Sequence, residues 1–207
     1  KKYNPSKKRY VLDIGSNDGT FLKFFKDMGY SVLGVDPAQA ISKKAEEEGI
    51  DMINDFFTLE TSNKIKQKYG AASLITANNV FAHTDNLKEM TRAISNLLTK
   101  DGLFVFEVSY LLDVYQKTLF DTIYHEHLSY HSVIPLISFF KDNGMTLIDV
   151  TRVNTHGGSI RCTVQNQDEE RAISKSVQYC VELEKKFGLN KKSTFIDFGL
   201  NIQQRKE

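Results

Sequence analysis

Tryptophan is absent from this sequence of 207 residues, and only three prolines and two cysteines occur. Cys162 and Cys180 lack the spacing of metal-binding pairs, so we expect reduced thiols and a cytoplasmic location. No apolar run approaches the roughly 18 residues of a membrane span, and no signal peptide opens the chain, so we expect no membrane partner. The formal charge is +1 and no basic block occurs, which argues against a nucleic-acid partner.

Short apolar runs alternate with helical segments through the first half of the chain. The predicted strands are 9–14, 31–35, 50–53, 72–77 and 103–108. The predicted helices between them are 20–28, 38–48, 58–69 and 85–98. This alternation predicts an α/β fold of Rossmann-like type, with a mostly parallel sheet and helices on both faces. Right-handed crossovers bring the carboxyl ends of all five strands to one edge, where ligands bind in such sheets.

The pattern changes after residue 108. Residues 109–132 have no clean periodicity, and a helix over 133–143 follows them. The next two predicted strands, 146–153 and 159–165, form an antiparallel pair that completes the sheet. Helices are predicted over 175–187 and 195–207. We therefore expect one domain over 1–165, and a helical extension over 166–207 that leads into a further domain.

A glycine loop joins the first predicted strand to the first helix. Gly15 and Gly19 are present, but Asn17 stands where a dinucleotide site has its second glycine. Asp18 adds a negative charge that would repel a pyrophosphate at the helix N-terminus. S-adenosylmethionine has no phosphate and carries a sulfonium and an ammonium group, which Asp13 can attract. The loop therefore favours S-adenosylmethionine, and an NAD-dependent oxidoreductase is the alternative.

Other polar residues follow the neighbouring strands at the same edge. Asp36 ends the second strand, where a carboxylate can accept hydrogen bonds from both ribose hydroxyls. Asp55 and Phe56 follow the third strand and suit the amino group and the ring of adenine. The full predicted cofactor set is Asp13, Gly15, Ser16, Asn17, Gly19, Asp36, Pro37, Asp55, Phe56, Asn78 and Asn79.

Histidines cluster in the segment that lacks periodicity. Three of the five fall within seven residues, at His125, His127 and His131. An imidazole is a natural general base near neutral pH, Glu126 can orient one, and Tyr124 can donate to an oxyanion. Metal binding and a polar loop without catalysis remain alternatives at this point, although we predict no metal because no His-Glu-x-x-His motif is present.

His83 lies just after the fourth predicted strand, near the expected position of a methyl acceptor. A capping role for the following helix, which we expect to begin at Asp85, is the alternative. The Asn-Asn-Val-Phe sequence at 78–81 lacks the two prolines of amino-methyltransferases, which argues against methylation of a base amino group.

With these motifs together, the chain resembles class I methyltransferases of the sugar C-methyltransferase type. The matching stretches are 12–20, 34–38, 78–85, 120–127 and 156–161. The resemblance implies S-adenosylmethionine as cofactor and a nucleotide-linked keto-deoxysugar as substrate, methylated through an enolate. It implies His127 as the base, with Tyr124 and Glu126 positioning and His83 near the sugar. It also implies an N-terminal zinc module and a C-terminal nucleotide-fold domain outside this sequence, so the chain is alternatively a cofactor-binding fragment without activity of its own.

Overall fold

A computed structural model describes residues 2–169 and 171–204 of the chain. The strands are β1 (Tyr10–Ile14), β2 (Ser31–Val35), β3 (Asp51–Ile53), β4 (Ala72–Asn78), β5 (Leu98–Ser109), β6 (Met145–Val153) and β7 (Ser159–Asn166). The helices are α1 (Thr20–Asp27), α2 (Gln39–Glu47), α3 (Leu59–Tyr69), α4 (Leu87–Leu97), α5 (Leu111–Lys117), α6 (Val133–Asp142), α7 (Lys175–Lys186) and α8 (Lys192–Gln204). None of the described helices is both long and apolar enough to cross a membrane.

The described strands form one sheet of seven strands in the order β3-β2-β1-β4-β5-β7-β6. Strands β1 to β5 are parallel, and β7 runs antiparallel to both β5 and β6. The predicted α/β fold, with its C-terminal antiparallel pair, is confirmed. Because the chain order reverses between β1 and β4, the carboxyl ends of these two strands flank the switch point at which such sheets bind ligands.

The two faces of the sheet are covered unequally. Helices α3, α4, α6 and α7 pack on one face and bury a large apolar core, at whose centre Phe81 is fully buried among aromatic rings. Helices α1 and α2 cover β1 to β3 on the other face with a smaller core. The apolar residues of α1 predict that Phe21, Leu22, Phe24 and Phe25 are buried. This is confirmed for Leu22 and wrong for Phe24, which is 63% exposed, and for Phe21, which is 40% exposed.

Several boundaries differ from those expected. Helix α4 takes its N-cap from Asn86, whose side-chain oxygen accepts the Glu89 N–H at 3.1 Å, so the predicted cap at Asp85 is wrong. Strand β5 begins directly after α4, and the aperiodic segment contains α5 and a short 3-10 helix at Phe120–Thr122. The last helix begins at Lys192, earlier than expected, and the predicted end at 205–207 lies outside the described residues.

Candidate active site

The glycine loop wraps closely around the end of β2. The N–H groups of Gly15 and Ser16 donate to the Val35 carbonyl at 2.8 and 3.3 Å. Gly15 has a φ of +68°, and a Cβ there would collide with the Val80 side chain after β4. Only glycine suits this position, because it adopts the left-handed conformation and leaves room between the two strand ends.

Asp36 organises the loop from the end of β2. Its two carboxylate oxygens accept the N–H groups of Asn17 and Ala38, each at 2.9 Å. The carboxylate is mostly buried, and Pro37 beside it is exposed. Gly19 closes the loop with a φ of +73°, and its N–H donates to the Ser16 carbonyl at 3.0 Å. The predicted ribose-binding carboxylate therefore also holds the loop in shape.

Two of the predicted cofactor residues, Asp13 and Ser16, have buried side chains. Asp13 is 3% exposed, and its carboxylate accepts a hydrogen bond from the Thr76 hydroxyl at 2.6 Å. Burial raises the pKa of Asp13 to about 7, with a smaller contribution in the same direction from the charge of Asp36. Ser16 is buried too, and its hydroxyl lies 3.7 Å from the Met52 sulfur. Both side chains sit within the sheet layer and support the loop from underneath.

A cavity of about 430 Å³ opens beside the loop. Its wall includes Gly15, Pro37, Asp55 and Phe56 from the predicted cofactor set, together with His83. Its charged side chains among the described residues are the carboxylates of Asp55, Asp85 and Glu89, and its lining contains no lysine or arginine. These negative carboxylates fit a ligand with sulfonium and ammonium charges, and they do not fit a pyrophosphate.

The two asparagines after β4 face different surroundings. Asn78 lies in the wall of a second cavity of about 650 Å³, on the sheet face that α1 covers only in part. Asn79 is exposed, has a φ of +55°, and donates its N–H to the Glu107 carbonyl at 2.8 Å. Neither residue lines the cavity beside the glycine loop.

His83 lies between the cavity beside the glycine loop and the histidine segment. Its ring centroid lies 4.9 Å from that of His127, and the Tyr124 ring lies 4.5 Å from His127 on another side. The Tyr124 hydroxyl is 3.5 Å from His127 Nε2. The structure therefore brings together three of the four predicted catalytic residues, although His83 lies about 40 residues before Tyr124 and His127 in the sequence.

The hydrogen bonds of His127 determine its neutral tautomer. Nδ1 lies 2.8 Å from the Thr122 carbonyl, which can only accept, so Nδ1 carries the proton. Nε2 therefore holds the lone pair and can accept a hydrogen bond from the Tyr124 hydroxyl, 3.5 Å away. The Tyr130 hydroxyl donates to the same carbonyl at 3.0 Å and its ring lies edge-on to the imidazole. The arrangement leaves Nε2 able to accept a proton.

The other polar residues of this segment are placed differently. Glu126 and His125 are exposed, and no described hydrogen bond joins Glu126 to an imidazole. His131 is buried, burial lowers its pKa to about 4, and its ring centroid lies 5.6 Å from that of Phe81. His131 therefore remains neutral near pH 7 and has a structural role.

Some contributors were not found from the sequence. The Thr122 carbonyl leaves no signal in a side-chain pattern, since any residue supplies one. Asp85, Asn86 and Glu89 line the cavity beside the glycine loop from the start of α4, whereas the sequence predicted only a capping role, for Asp85. Arg161 lies opposite Glu107 on the neighbouring strand β7, and it donates from Nε and Nη2 to the buried Glu107 carboxylate at 3.1 and 2.8 Å.

Comparisons with known proteins show the family of the chain. Residues 2–150 match the family described as methyltransferase domain, and residues 154–207 match the C-methyltransferase C-terminal domain. The C-methyltransferase NovU of Streptomyces niveus is 39% identical over 150 residues, which cover 72% of this chain and 36% of NovU. The chain therefore spans about a third of the length of that relative.

Solved structures share the fold. An S-adenosylmethionine-dependent methyltransferase from Anabaena variabilis superposes with a TM-score of 0.64 at 14% identity, covering 80% of each chain. Magnesium protoporphyrin IX methyltransferase from Synechocystis, solved with bound S-adenosylhomocysteine, gives 0.58 at 13% identity, covering 75% of this chain and 73% of that one. The chain belongs to the methyltransferase domain family, which confirms the prediction of an S-adenosylmethionine-dependent methyltransferase over that of an NAD-dependent oxidoreductase.

Proposed function

We propose that the chain methylates a carbon atom beside the keto group of a nucleotide-linked sugar. The observation that carries the proposal is the His127 imidazole, which lies beside the His83 ring. Its Nδ1 donates to the Thr122 carbonyl, and its Nε2 holds the lone pair beside the Tyr124 hydroxyl. A methyl acceptor on carbon needs a base to remove its proton, and a histidine near neutral pH suits that task. The match of residues 154–207 to a C-methyltransferase C-terminal domain points the same way.

Cofactor binding is assigned to the cavity beside the glycine loop. Gly15 and Gly19 would allow the backbone to approach the ligand, Asp36 would accept from the ribose, and Asp55 with Phe56 would hold the adenine. The negative lining of the cavity would favour the cationic end of the ligand. When bound, S-adenosylmethionine supplies an electrophilic methyl group. His83 lies in the same cavity wall, so the acceptor would reach this methyl group from the histidine side.

The chemistry follows from the geometry of His127. Nε2 takes the proton from the carbon beside the keto group, and the electron pair of the broken C–H bond forms an enolate. The Tyr124 hydroxyl and His83 stabilise the enolate oxygen by hydrogen bonding. The enolate carbon would then take the methyl group that bound S-adenosylmethionine supplies, and S-adenosylhomocysteine would be the second product. The imidazolium releases its proton to water.

Exchange of the substrate's α-hydrogen with deuterated solvent tests the base directly. With S-adenosylhomocysteine bound and a panel of nucleotide-linked 4-keto sugars, we expect His127→Ala to slow exchange by roughly 10²- to 10⁴-fold. His125→Ala is the matched control, because His125 is an exposed neighbour without a role in the proposal. Tyr124→Phe should slow exchange less. Exchange that His127→Ala leaves unchanged would overturn the assignment of the base.

The role of Glu126 and the location in the cell are also proposals. Glu126 stays a proposed positioning residue and the cytoplasmic location stays a proposal. A second candidate function is cofactor binding without methyl transfer by this chain alone. The observation in its favour is that the chain spans only 36% of NovU. Tight binding of S-adenosylhomocysteine, with no product from any sugar in the panel, would favour that second function.

A further inference from the structure

The segment that carries Tyr124 and His127 leaves the fold and returns to it at one place, which we call the neck. The neck consists of Tyr110 and Leu111 on the outgoing side and residues 131–134 on the returning side. Tyr110 and His131 form an isolated parallel bridge, and the Leu111 N–H donates to the His131 carbonyl at 2.9 Å. Residues 112–130 between these positions, which include most of α5 and the 3-10 helix, form a long excursion with closed ends that we call the loop.

One buried carboxylate binds both sides of the neck. Glu184 of α7 is fully buried and accepts the Tyr110 hydroxyl at 2.9 Å on the outgoing side. On the returning side it accepts the N–H groups of Val133 and Ile134 at 2.5 and 3.0 Å. The carboxylate therefore has three donors, which is what a buried charge requires.

The position of Glu184 suits a negative charge in particular. Val133 and Ile134 begin α6, and their N–H groups have no partner within that helix. The Ser132 side chain, at the N-cap position, makes no capping hydrogen bond, so Glu184 supplies the cap from another element. A carboxylate at a helix N-terminus is also favoured by the helix dipole. The Arg152 guanidinium lies over one face of the Tyr110 ring, 5.4 Å from its centroid, and helps to hold the ring in place.

Residues 118–130, the outer part of the loop, are partly or fully exposed, and the inner part is also held by Asp113, which pairs with Arg152 at 2.9 Å. Ile123 and Leu128 are more than half exposed, and Tyr124 is 44% exposed. Outside the neck, the N–H groups of Leu128 and Ser129 donate to the Ala82 carbonyl at 3.0 and 3.3 Å. The location of His127 relative to His83 therefore depends on these two hydrogen bonds and on how the neck is held.

We infer that Glu184 is a positioning residue for methyl transfer, acting by closing the neck so that His127 and Tyr124 stay beside the cofactor cavity. This inference rests on the proposed function of His127. Because Glu184 lies in the part of the chain that matches the C-methyltransferase C-terminal domain, it also gives that part a role in the reaction. A displacement of the base by about 1 Å is enough to reduce a rate by roughly 10²-fold.

Glu184→Ala, Glu184→Gln and Tyr110→Phe test the inference, and Glu182→Ala is the matched control on the exposed side of the same helix. Hydrogen exchange by mass spectrometry should show faster exchange in 111–132 for Glu184→Ala, with α1 to α4 unchanged. S-adenosylhomocysteine affinity should stay close to that of the wild type, because no cavity residue changes. With a keto sugar that is turned over, kcat should fall by about 10- to 100-fold while the KM for the cofactor stays constant.

The conservative variants separate positioning from general folding. The Glu184→Gln amide keeps one acceptor oxygen and should recover part of the lost kcat, and Tyr110→Phe should give a smaller effect of the same kind. These two variants decide the question if Glu184→Ala does not fold. Exchange that rises throughout the chain together with loss of cofactor binding, or unchanged exchange in 111–132, would refute the inference. Since hydrogen exchange needs no substrate, this result stands apart from any failure of the proposed methyl transfer.

Discussion

Replacement of Asp13 by asparagine is expected to make the folded chain more stable at alkaline pH. The pKa of Asp13 is raised from 3.8 to about 7, mainly because burial removes water from the carboxylate and secondarily because Asp36 is close. The Thr76 hydroxyl opposes the shift by donating to the ionised form. Between pH 4 and 7 the unfolded chain has lost this proton and the folded chain retains it, so stability falls as pH rises.

The expected size follows from the shift itself. Each pH unit in that window costs about 1.4 kcal/mol, so the ionisation of Asp13 costs about 4 kcal/mol in total by pH 7 and nothing further above it. Asparagine is neutral at every pH and avoids this cost. Urea unfolding of wild type and Asp13→Asn should therefore show a gain for the variant that grows by about 3 kcal/mol between pH 5 and pH 8.

A control variant and a binding measurement accompany the unfolding experiment. Asp18→Asn changes an exposed carboxyl of the same loop, whose pKa is lowered mainly by its hydrogen bonds with Thr20, and should give no such gain above pH 5. Calorimetry should show that Asp13→Asn loses more affinity for S-adenosylmethionine at pH 8 than at pH 6, because only the ionised carboxylate attracts the cation. A stability difference that stays constant from pH 5 to pH 8 would refute the reasoning.

Two further substitutions probe the loop and the core. Gly15→Ala should weaken S-adenosylhomocysteine binding at least about 10-fold in calorimetry, because the new Cβ strikes Val80, whereas Gly144→Ala has the same backbone strain in open space and should leave affinity unchanged. Equal loss of affinity in both variants would contradict the role of the collision. Phe81→Ala should lower the free energy of unfolding by about 3 to 5 kcal/mol in urea, because the ring is fully buried. Phe24→Ala, at a ring that is 63% exposed, should cost far less, and a comparable cost would show that exposure is the wrong guide.

The parallel part of the sheet was predictable because each of its signals is local. Apolar runs of strand length alternate with helical segments, and the handedness of the crossovers then determines which edge carries the loops. Asp36 and Gly15 could be assigned on that basis, since both follow a strand directly. The cavity that contains Gly15 also contains Asp55 and Phe56, as the shared edge requires.

The segment over 109–132 could not be predicted for the opposite reason. Its conformation depends on Glu184, which lies 74 residues beyond Tyr110 in the chain, and on the Thr122 backbone carbonyl. Neither contact leaves a periodic pattern in the sequence. The prediction that Phe24 on α1 is buried was wrong for a related reason. Helical spacing identifies an apolar face but not how much of that face the sheet covers.

The two matched families divide the chain at a place where the fold does not divide. Residues 2–150 and 154–207 meet in the hairpin between β6 and β7, yet β7 lies between β5 and β6 in the sheet. Without residues beyond 153, β6 loses the strand that joins it to the sheet and β5 gains a free edge. The predicted division at residue 165 keeps β7 with the sheet and stays a prediction.

Truncation distinguishes these two divisions. A chain of residues 1–153 leaves Glu107, which is 6% exposed, without Arg161 and leaves β5 without β7. A buried charge that has lost its partner is strongly destabilising, so we expect no cooperative unfolding transition and no binding of S-adenosylhomocysteine. Residues 1–168 keep β7 and Arg161, and should bind the cofactor while residues 111–132 exchange hydrogen faster. Both truncated chains lack Glu184, so its loss does not distinguish them. Cooperative unfolding of 1–153 with full cofactor affinity would mean that the methyltransferase fold does not need β7.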